Sequence, residues 1–295
     1  FTESGRLAFD TVTAQAVALH FGIIPEEYRA KLAAQLNENV VRHGYRMVTG
    51  FIGSPFLLFA LADNGYFETA RRVLLNNGFP GWMYEVDMGA TTIWERWNSL
   101  MPDGTPNPDG MNSYNHYAYG SVMEFVYRRI AGIEAKEAGF AKIKIAPRPV
   151  KGLPKLYAEY DSVRGKIVSE YSQKDGKIEY VIEIPGQIEA EIVLPNEAPV
   201  FVKGGRYVFG RDAEELYREP YTPESVVTEV FANPKAVRAF NEVFGGIFTG
   251  SEIAWMKSEP KTLQFMAEFR DMEKKMKLTD FPEMLARVNE IFKRL

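Results

Sequence analysis

Apolar side chains in the first 135 residues recur at the spacing of an α-helix. Two such stripes are Ala14, Val17, Ala18 and Phe21, and then Tyr28, Leu32, Leu36, Val40 and Val41. Positions three and four residues apart share one face of a helix, so each stripe predicts a helix with one buried side. Residues 56–61 are almost wholly apolar, which is typical of a helix buried on all sides. Helices of alternating burial with short connections indicate stacked helical hairpins, as in a toroid or solenoid.

The period of the pattern changes to two near residue 140. Short runs alternate between apolar and polar side chains at 142–145, 156–160, 167–171, 177–184 and 189–195. This alternation predicts strands with one buried face. Asp175 and Gly176 separate two of the runs, which is the sequence signal of a two-residue hairpin. Five or more short strands of this kind predict an antiparallel β-sandwich.

From about Pro223 the pattern is helical again. Thr222 precedes Pro223 and Asn233 precedes Pro234, which places an N-cap residue before a proline at the first helical position. A final apolar stripe consists of Phe281, Met284, Leu285, Val288, Ile291, Phe292 and Leu295. We expect it to pack against Leu263, Met266, Phe269 and Met276, and to form a small helical bundle. The predicted divisions are therefore a helical region at 1–138, a β-sandwich at 139–210 and a helical tail at 211–295.

Composition and charge narrow the classes of function. The 295 residues are 46% hydrophobic and 25% charged, as in an ordinary globular protein. A net charge of −4 and the lack of a long basic run argue against a nucleic-acid partner. No apolar run approaches the roughly 20 residues of a membrane span, so we expect no membrane partner. The sequence has no cysteine, which excludes disulfides but fixes no compartment.

The sequence also argues against a metal or a cofactor. It contains three histidines, without the His-x-x-x-His spacing of a zinc site, and no thiolate ligand. No glycine-rich phosphate loop or nucleophile elbow stands out. We therefore expect the chemistry to depend on side chains alone.

The strongest candidate for chemistry is the segment 89–97, which is followed by a second polar and aromatic segment at 113–122. The first segment places Glu95 beside Arg96 and between two tryptophans. Aromatic rings stack on the apolar face of a pyranose, charged groups hold its hydroxyls, and a carboxylate in such a site can activate water. The alternative is a buried aromatic cluster with a structural Glu–Arg ion pair, because most aromatic clusters lie in protein cores.

Several short blocks of sequence follow one another in a specific order along the chain. They lie at 13–22, 49–55, 66–75, 88–97 and 111–122. This ordered set resembles the α-L-rhamnosidases of glycoside hydrolase family 78, whose catalytic (α/α)6 barrel is followed by a β-sandwich. The resemblance implies that 1–138 is the C-terminal half of the barrel and that 139–210 is the sandwich. The tail at 211–295 lies outside the family pattern and receives no role from it.

The resemblance also implies roles for individual residues. Members of this family invert the anomeric carbon with two acidic residues, and the pattern assigns the general base to Glu95. It places His116 in the sugar pocket. The general acid of the family lies in an Arg-Asp-Glu-Arg-type motif that this sequence lacks, and the chain starts at Phe1 rather than at a methionine. We therefore expect the remainder of a longer polypeptide to complete the barrel, and the isolated chain to be inactive.

Four further residues are candidates for contacts with the sugar. Trp97 is expected to form a pocket wall and Trp94 to lie in the core, because positions on a helix point about 100° apart per residue and the two rings cannot both face the sugar. Asn115 and Tyr117 flank His116. Arg96 contacts either the substrate or a carboxylate that it orients.

Other polar residues of the helical region are expected to have structural roles. Glu85 and Asp87 are expected to be solvated or to cap a helix. His20 and His43 lie in helical stripes and are expected to be structural.

The leading hypothesis is an inverting α-L-rhamnosidase that removes terminal α-L-rhamnosyl groups from oligosaccharides, glycosides or polysaccharides. A second is a glycosidase for another sugar on the same barrel. A third is a non-catalytic carbohydrate-binding or assembly module. The presence of Glu95 argues against it, because a binding module does not need a carboxylate that activates water. The expected partners are a carbohydrate substrate and the rest of the polypeptide, with a homo-oligomer as a further option.

Overall fold

A computed structural model describes residues 7, 10–213, 230–231, 233–243 and 281–292. The chain divides into two compact units, Phe1–Tyr217 and Arg218–Leu295. Within the described ranges, no helix is both long and apolar enough to cross a membrane.

The first unit begins with the predicted helical region. Its helices are α1 (Val12–His20), α2 (Glu26–Arg42), α3 (Ser54–Ala62), α4 (Phe67–Leu74), α5 (Trp82–Asp87) and α6 (Val122–Phe125). A 3-10 turn at Ala118–Ser121 precedes α6, and a π turn at Val126–Ile130 follows it. Helix α3 packs against α1, α2 and α4, and every residue from Leu57 to Ala62 is buried. The prediction of a central helix buried on all sides is thus confirmed.

A β-sandwich of two four-stranded sheets follows in the same unit. The strands are β1 (Ile133–Ala135), β2 (Lys142–Ile145), β3 (Lys155–Ser162), β4 (Gly165–Lys174), β5 (Lys177–Ile184), β6 (Glu189–Ile192), β7 (Val200–Val202) and β8 (Gly205–Asp212). One sheet has the order β1-β2-β6-β7 and the other β3-β4-β5-β8. Neighbouring strands are antiparallel, except that β2 and β6 are parallel. The predicted sandwich is therefore confirmed.

The hairpin between β4 and β5 forms at the predicted turn. Lys174 pairs with Lys177, and the two residues between them, Asp175 and Gly176, have φ of 51° and 73°. Positive φ at both central positions is the geometry of a type I′ turn, whose twist matches that of the flanking strands.

Three strands have no counterpart in the sequence pattern. Strands β1 and β7 have three residues each, too few for a period to be visible. Strand β8 alternates between exposed and half-exposed positions rather than between exposed and buried ones. Strand β1 begins at Ile133, inside the range 1–138 that the pattern assigned to the helical region.

Polar contacts join the helical region to the sandwich. Arg129 donates to both carboxylate oxygens of Asp63, at 2.6 and 2.9 Å, and to Glu134 of β1 at 2.6 Å. The buried Ser169 hydroxyl of β4 donates to the carbonyl of Ala131 at 2.6 Å. The first unit is therefore continuous across the change from helices to strands.

The second unit contains helices α7 (Pro234–Val243) and α8 (Phe281–Phe292). Asn233 caps α7, because its side chain accepts from the backbone N–H of Lys235 at 3.0 Å. In α8, Val288, Ile291 and Phe292 are buried, and the ring of Phe292 packs edge-on against Phe240 at 5.9 Å.

An alternative role for the apolar residues Phe240, Phe244 and Phe248 of the tail is association with another surface. Phe240 is fully buried and therefore offers no apolar face for this. Thr222, Phe244 and Phe248 lie outside the described residues, as does the expected partner stripe: Leu263, Met266, Phe269 and Met276.

Candidate active site

The two motif segments are loops that run antiparallel to each other and are joined by backbone hydrogen bonds. The backbone N–H of Glu95 donates to the carbonyl of Ser113 at 2.9 Å, and the N–H of His116 donates to that of Ile93 at 2.8 Å. Residues 88–117 form no helix, so the helical geometry used to separate Trp94 from Trp97 is wrong. Hydrogen bonds across the two segments replace the bonds that a helix would make along one segment. The arrangement brings Glu95 and His116 to one loop pair.

Glu95 is held through one carboxylate oxygen. Its side chain is half-buried, and Oε2 accepts from the backbone N–H of Ser113 at 3.0 Å. Across residues 10–213 the structure gives Oε1 no hydrogen-bond partner. A carboxylate fixed at one oxygen and open at the other can accept a proton from a bound water.

Arg96 does not neutralise this carboxylate. The structure gives its guanidinium no ion pair with any described residue, and its backbone N–H lies 3.4 Å from the Ser99 hydroxyl. The structural alternative raised by the sequence, a Glu95–Arg96 ion pair, is therefore not formed in the described part of the chain. The Arg96 side chain is half-buried, and its charge is available to a ligand or to another carboxylate.

The ring of His116 lies nearly parallel to two aromatic rings. Its centroid is 4.8 Å from that of Phe51 and 5.2 Å from that of Tyr117, with interplanar angles of 13° and 12°. The Nδ1 atom accepts from the backbone N–H of Ala118 at 3.3 Å, which leaves the proton of the neutral ring on Nε2. The edge that carries Nε2–H is therefore the part of His116 that can donate to a ligand.

The two tryptophans of the motif are both buried. Trp97 is 7% exposed; its ring stacks on Tyr119 at 3.8 Å and meets Trp82 edge-on at 5.3 Å. Trp94 is buried against Tyr114 at 6.0 Å. The core position expected of Trp94 is thus observed, and Trp97 can offer a sugar little more than the edge of its ring.

The residues on either side of His116 are exposed. Tyr117 is 89% exposed, so the ring face that does not stack on His116 is open. The side chain of Asn115 is also exposed, while its backbone N–H is held by the Ser113 hydroxyl at 3.2 Å. Both side chains can contact a ligand that approaches Glu95.

Sequence reasoning missed Glu85. It was expected to be solvated or to cap a helix, but it is 2% exposed and its Oε2 accepts from the backbone N–H of Trp94 at 3.3 Å. Burial raises the pKa of its carboxyl to about 7, and the Trp94 N–H lowers it only in part. A sign of this position was present in the sequence, since Trp82 and Glu85 are three residues apart and share the buried face of α5.

His20 is one of the two histidines that were expected to be structural. Its ring packs against Phe56 at 4.7 Å and Phe59 at 5.7 Å, and burial lowers its pKa. In the described ranges, no group of three or more histidine or acidic side chains could hold a metal ion.

Three cavities of the first unit lie elsewhere. The largest of them, about 640 Å³, is lined by residues at the end of the helical region and the start of the sandwich, such as Tyr127, Glu134 and Tyr160. Two others, of about 420 and 410 Å³, are lined by residues of the sandwich. None of these three includes Glu95 or His116, so cavity volume does not locate the candidate chemistry.

Both regions of the first unit match domains of one enzyme family. Residues 1–130 match the bacterial alpha-L-rhamnosidase 6 hairpin glycosidase domain, and residues 132–209 match the bacterial alpha-L-rhamnosidase C-terminal domain. Residues 1–130 and 132–209 of the chain belong to the bacterial α-L-rhamnosidase family. The helical hairpins followed by a sandwich are therefore the fold of that family, as the sequence predicted.

Individual α-L-rhamnosidases are similar over the same part of the chain. One from Streptomyces avermitilis is 36% identical over 195 residues, which is 66% of this chain and 19% of that protein. One from Formosa agariphila is 36% identical over 187 residues, covering 63% of this chain and 20% of that protein. This chain thus spans about a fifth of the length of these relatives.

Solved α-L-rhamnosidase structures agree. The native enzyme from Aspergillus terreus superposes with a TM-score of 0.68 at 31% identity, over 71% of this chain and 25% of that one. The Streptomyces avermitilis enzyme complexed with L-rhamnose gives a TM-score of 0.64 at 32% identity, over 69% of this chain and 22% of that one.

Proposed function

We propose that this chain supplies the general-base side of the active site of an inverting α-L-rhamnosidase. The observation that carries the proposal is the loop pair 93–95 and 113–116, which fixes Glu95 through Oε2, leaves its Oε1 without a partner among residues 10–213, and also holds His116. A rhamnosidase complexed with L-rhamnose is among the similar structures, which supports rhamnose as the sugar.

In the proposed reaction, Glu95 takes a proton from a water molecule that attacks the anomeric carbon of the rhamnosyl group. A general acid on the opposite side of the sugar protonates the leaving oxygen, and inverting enzymes place their two carboxyl groups roughly 6.5–9.5 Å apart to admit the water. We assign that acid to a part of the polypeptide outside this chain.

The remaining candidates take supporting roles in this proposal. His116 donates Nε2–H to a hydroxyl of the sugar. The open face of Tyr117 and the amide of Asn115 line the entrance, and Arg96 binds a hydroxyl or orients the second carboxyl group. Trp97 supports the pocket from the core, because its ring is buried and stacks on the buried ring of Tyr119.

Further protein is expected to cover the surface beside His116. Phe51, which stacks on His116, is 42% exposed, and the neighbouring Ile52 is 75% exposed. Exposed apolar side chains grouped near a binding site are typical of surfaces that bind more protein or ligand. Together with the fifth of the length that this chain spans in its relatives, they support a remainder of the polypeptide that completes the barrel.

The purified 295-residue chain should not hydrolyse an aryl α-L-rhamnoside. Positioning of both catalytic groups supplies much of the rate, and the chain carries only one of them in this proposal. Release of the aryl group, followed by absorbance, tests this directly against the complete enzyme as a positive control. Turnover by the isolated chain that Glu95→Gln abolishes would show that a carboxylate of this chain, or of a second copy, serves as the acid.

Deletion of the second unit after Tyr217 should change kcat and KM of the complete enzyme by no more than about twofold. The motif segments and all candidate site residues lie in the first unit. Steady-state kinetics and circular dichroism of the shortened enzyme provide the measurement. If activity disappeared while the circular dichroism spectrum kept its shape, the second unit would belong to the site.

A further inference from the structure

The carboxyl group of Glu85 is hydrogen-bonded to the loop that carries Glu95. Its Oε2 accepts the backbone N–H of Trp94, the residue immediately before Glu95, at 3.3 Å. Its Oε1 is buried and has no hydrogen-bond partner among the residues that the structure describes. A buried polar atom without a partner costs stability, so its retention calls for an explanation in function.

No cation compensates this carboxyl group among the described residues. The titratable side chain that faces it is Tyr119, whose own pKa is raised by burial and further by the charge of Glu85. The hydrogen bond that Glu85 accepts comes from the Trp94 N–H, a single neutral donor. An ionised Glu85 would therefore be a buried charge with one hydrogen bond, whereas the protonated form is a neutral group that still accepts from Trp94.

We propose that Glu85 is a positioning residue for the general base: its protonated carboxyl group ties α5 to the backbone that precedes Glu95. The proposal rests on the proposed role of Glu95. Trp94 is held by Glu85 through its backbone N–H. Glu95 is held by Ser113, because the Glu95 N–H donates to the Ser113 carbonyl and the Glu95 Oε2 accepts from the Ser113 N–H. The two attachments together fix where the open Oε1 of Glu95 points.

The protonation state of Glu85 then controls activity. Below about pH 7 the neutral carboxyl group keeps the loop in place, because burial has raised the pKa to about that value. Above about pH 7 the carboxylate is charged and its burial is unfavourable, so it moves toward solvent and displaces the loop that carries Glu95. A displacement of about 1 Å at a catalytic group can cost roughly a hundredfold in rate, so the ionised enzyme is expected to be nearly inactive.

Two variants of the complete enzyme separate positioning from simple packing. Glu85→Gln keeps an acceptor for the Trp94 N–H but cannot ionise, whereas Glu85→Leu keeps the volume and removes the acceptor. Asp87→Asn is the matched control on the same helix, because the Asp87 side chain is exposed and accepts from Asn77 at 2.6 Å. The measurement is kcat/KM for an aryl α-L-rhamnoside from pH 5 to 9.

The ratio of kcat/KM between Glu85→Gln and the parent enzyme should rise by about tenfold between pH 6 and 8, because a group with a pKa near 7 is about 90% ionised at pH 8. Taking the ratio cancels every other ionisation that both enzymes share. At pH 6, where Glu85 of the parent enzyme is protonated, Glu85→Leu should lose tenfold or more in kcat with little change in KM. Asp87→Asn should follow the parent enzyme throughout.

A readout independent of activity is the infrared band of a protonated carboxyl group, which the parent enzyme should show at pH 6 and lose by pH 9. Glu85→Gln should lack the band at both pH values. A flat activity ratio from pH 6 to 8, or the absence of such a band at pH 6, would overturn the proposal. If Glu85→Leu does not fold, the Gln ratio and the band still decide.

Failure of this inference differs from failure of the proposed function. If Glu95→Gln is inactive at every pH while the Glu85 ratio is flat, only the positioning role falls. If Glu95→Gln retains activity, the role of Glu95 falls, whatever the Glu85 variants do.

Discussion

Glu95→Gln should lower kcat of the complete enzyme by about 10²–10⁴-fold and leave KM nearly unchanged. Glutamine keeps an oxygen that can accept from the Ser113 N–H, now held at 3.0 Å by Oε2, so the loop retains its attachment. What the variant loses is the ability to take a proton from water in the transition state. The loss therefore appears in kcat and not in substrate binding. Steady-state kinetics on an aryl α-L-rhamnoside measure both constants.

Two further variants test whether the effect is chemical. Asp109→Asn is the matched control, because Asp109 is an exposed carboxylate in the same loop region and is not a candidate site residue. It should leave both constants unchanged. In Glu95→Ala, added azide should restore part of the activity, since a small anion can occupy the space of the carboxylate and attack in place of water. A loss in Glu95→Gln of less than about tenfold would remove Glu95 from the role of base.

Much of the fold could be predicted because its long elements bury one face at a regular period. The stripe Leu32, Leu36 and Val40 is fully buried in α2, and the alternation in β5 places Ile178, Tyr180 and Ile182 in the core. Strand β8 could not be predicted from its sequence. It pairs with β5 at the edge of the sheet, and its inward residues Tyr207 and Phe209 are separated by an apolar but exposed Val208, so apolar and polar side chains do not alternate.

The candidate site was less accessible to sequence reasoning than the fold. The types of residue around Glu95 indicated sugar chemistry, but the pairing of Ile93 with His116 joins positions 23 apart through backbone atoms that any residue possesses. Nothing in the side chains encodes that pairing, so the assumption of a helix went uncorrected. Glu85 was misjudged for a related reason. An acidic residue is exposed by default, and only the tertiary position of α5 against Trp94 buries it.

The junction between the helical region and the sandwich offers the largest expected effect on stability. Gly132 connects the π turn to β1 with a φ of +75°, and a Cβ added there would lie 2.1 Å from the carbonyl carbon and 2.2 Å from the oxygen of Ala146. The same two residues are hydrogen-bonded, since the N–H of Ala146 donates to the carbonyl of Gly132 at 2.9 Å. Gly132→Ala cannot be accommodated by turning a side chain, because the obstacle is backbone.

We therefore expect Gly132→Ala to cost about 4 kcal/mol or more in the free energy of unfolding, which is enough to leave most marginally stable domains unfolded. Gly176→Ala separates the effect of the backbone clash from the effect of the positive φ. Gly176 also has a positive φ, +73°, but a Cβ there would meet nothing within 4 Å, so that variant should lose only the roughly 1–2 kcal/mol of an unfavourable backbone conformation. Urea denaturation of both variants, followed by circular dichroism, gives the comparison. Equal losses would mean that the close approach of Ala146 to Gly132 is not maintained in solution. A much larger loss at Gly132 would show that the two regions are held together by a backbone contact that no other residue type permits.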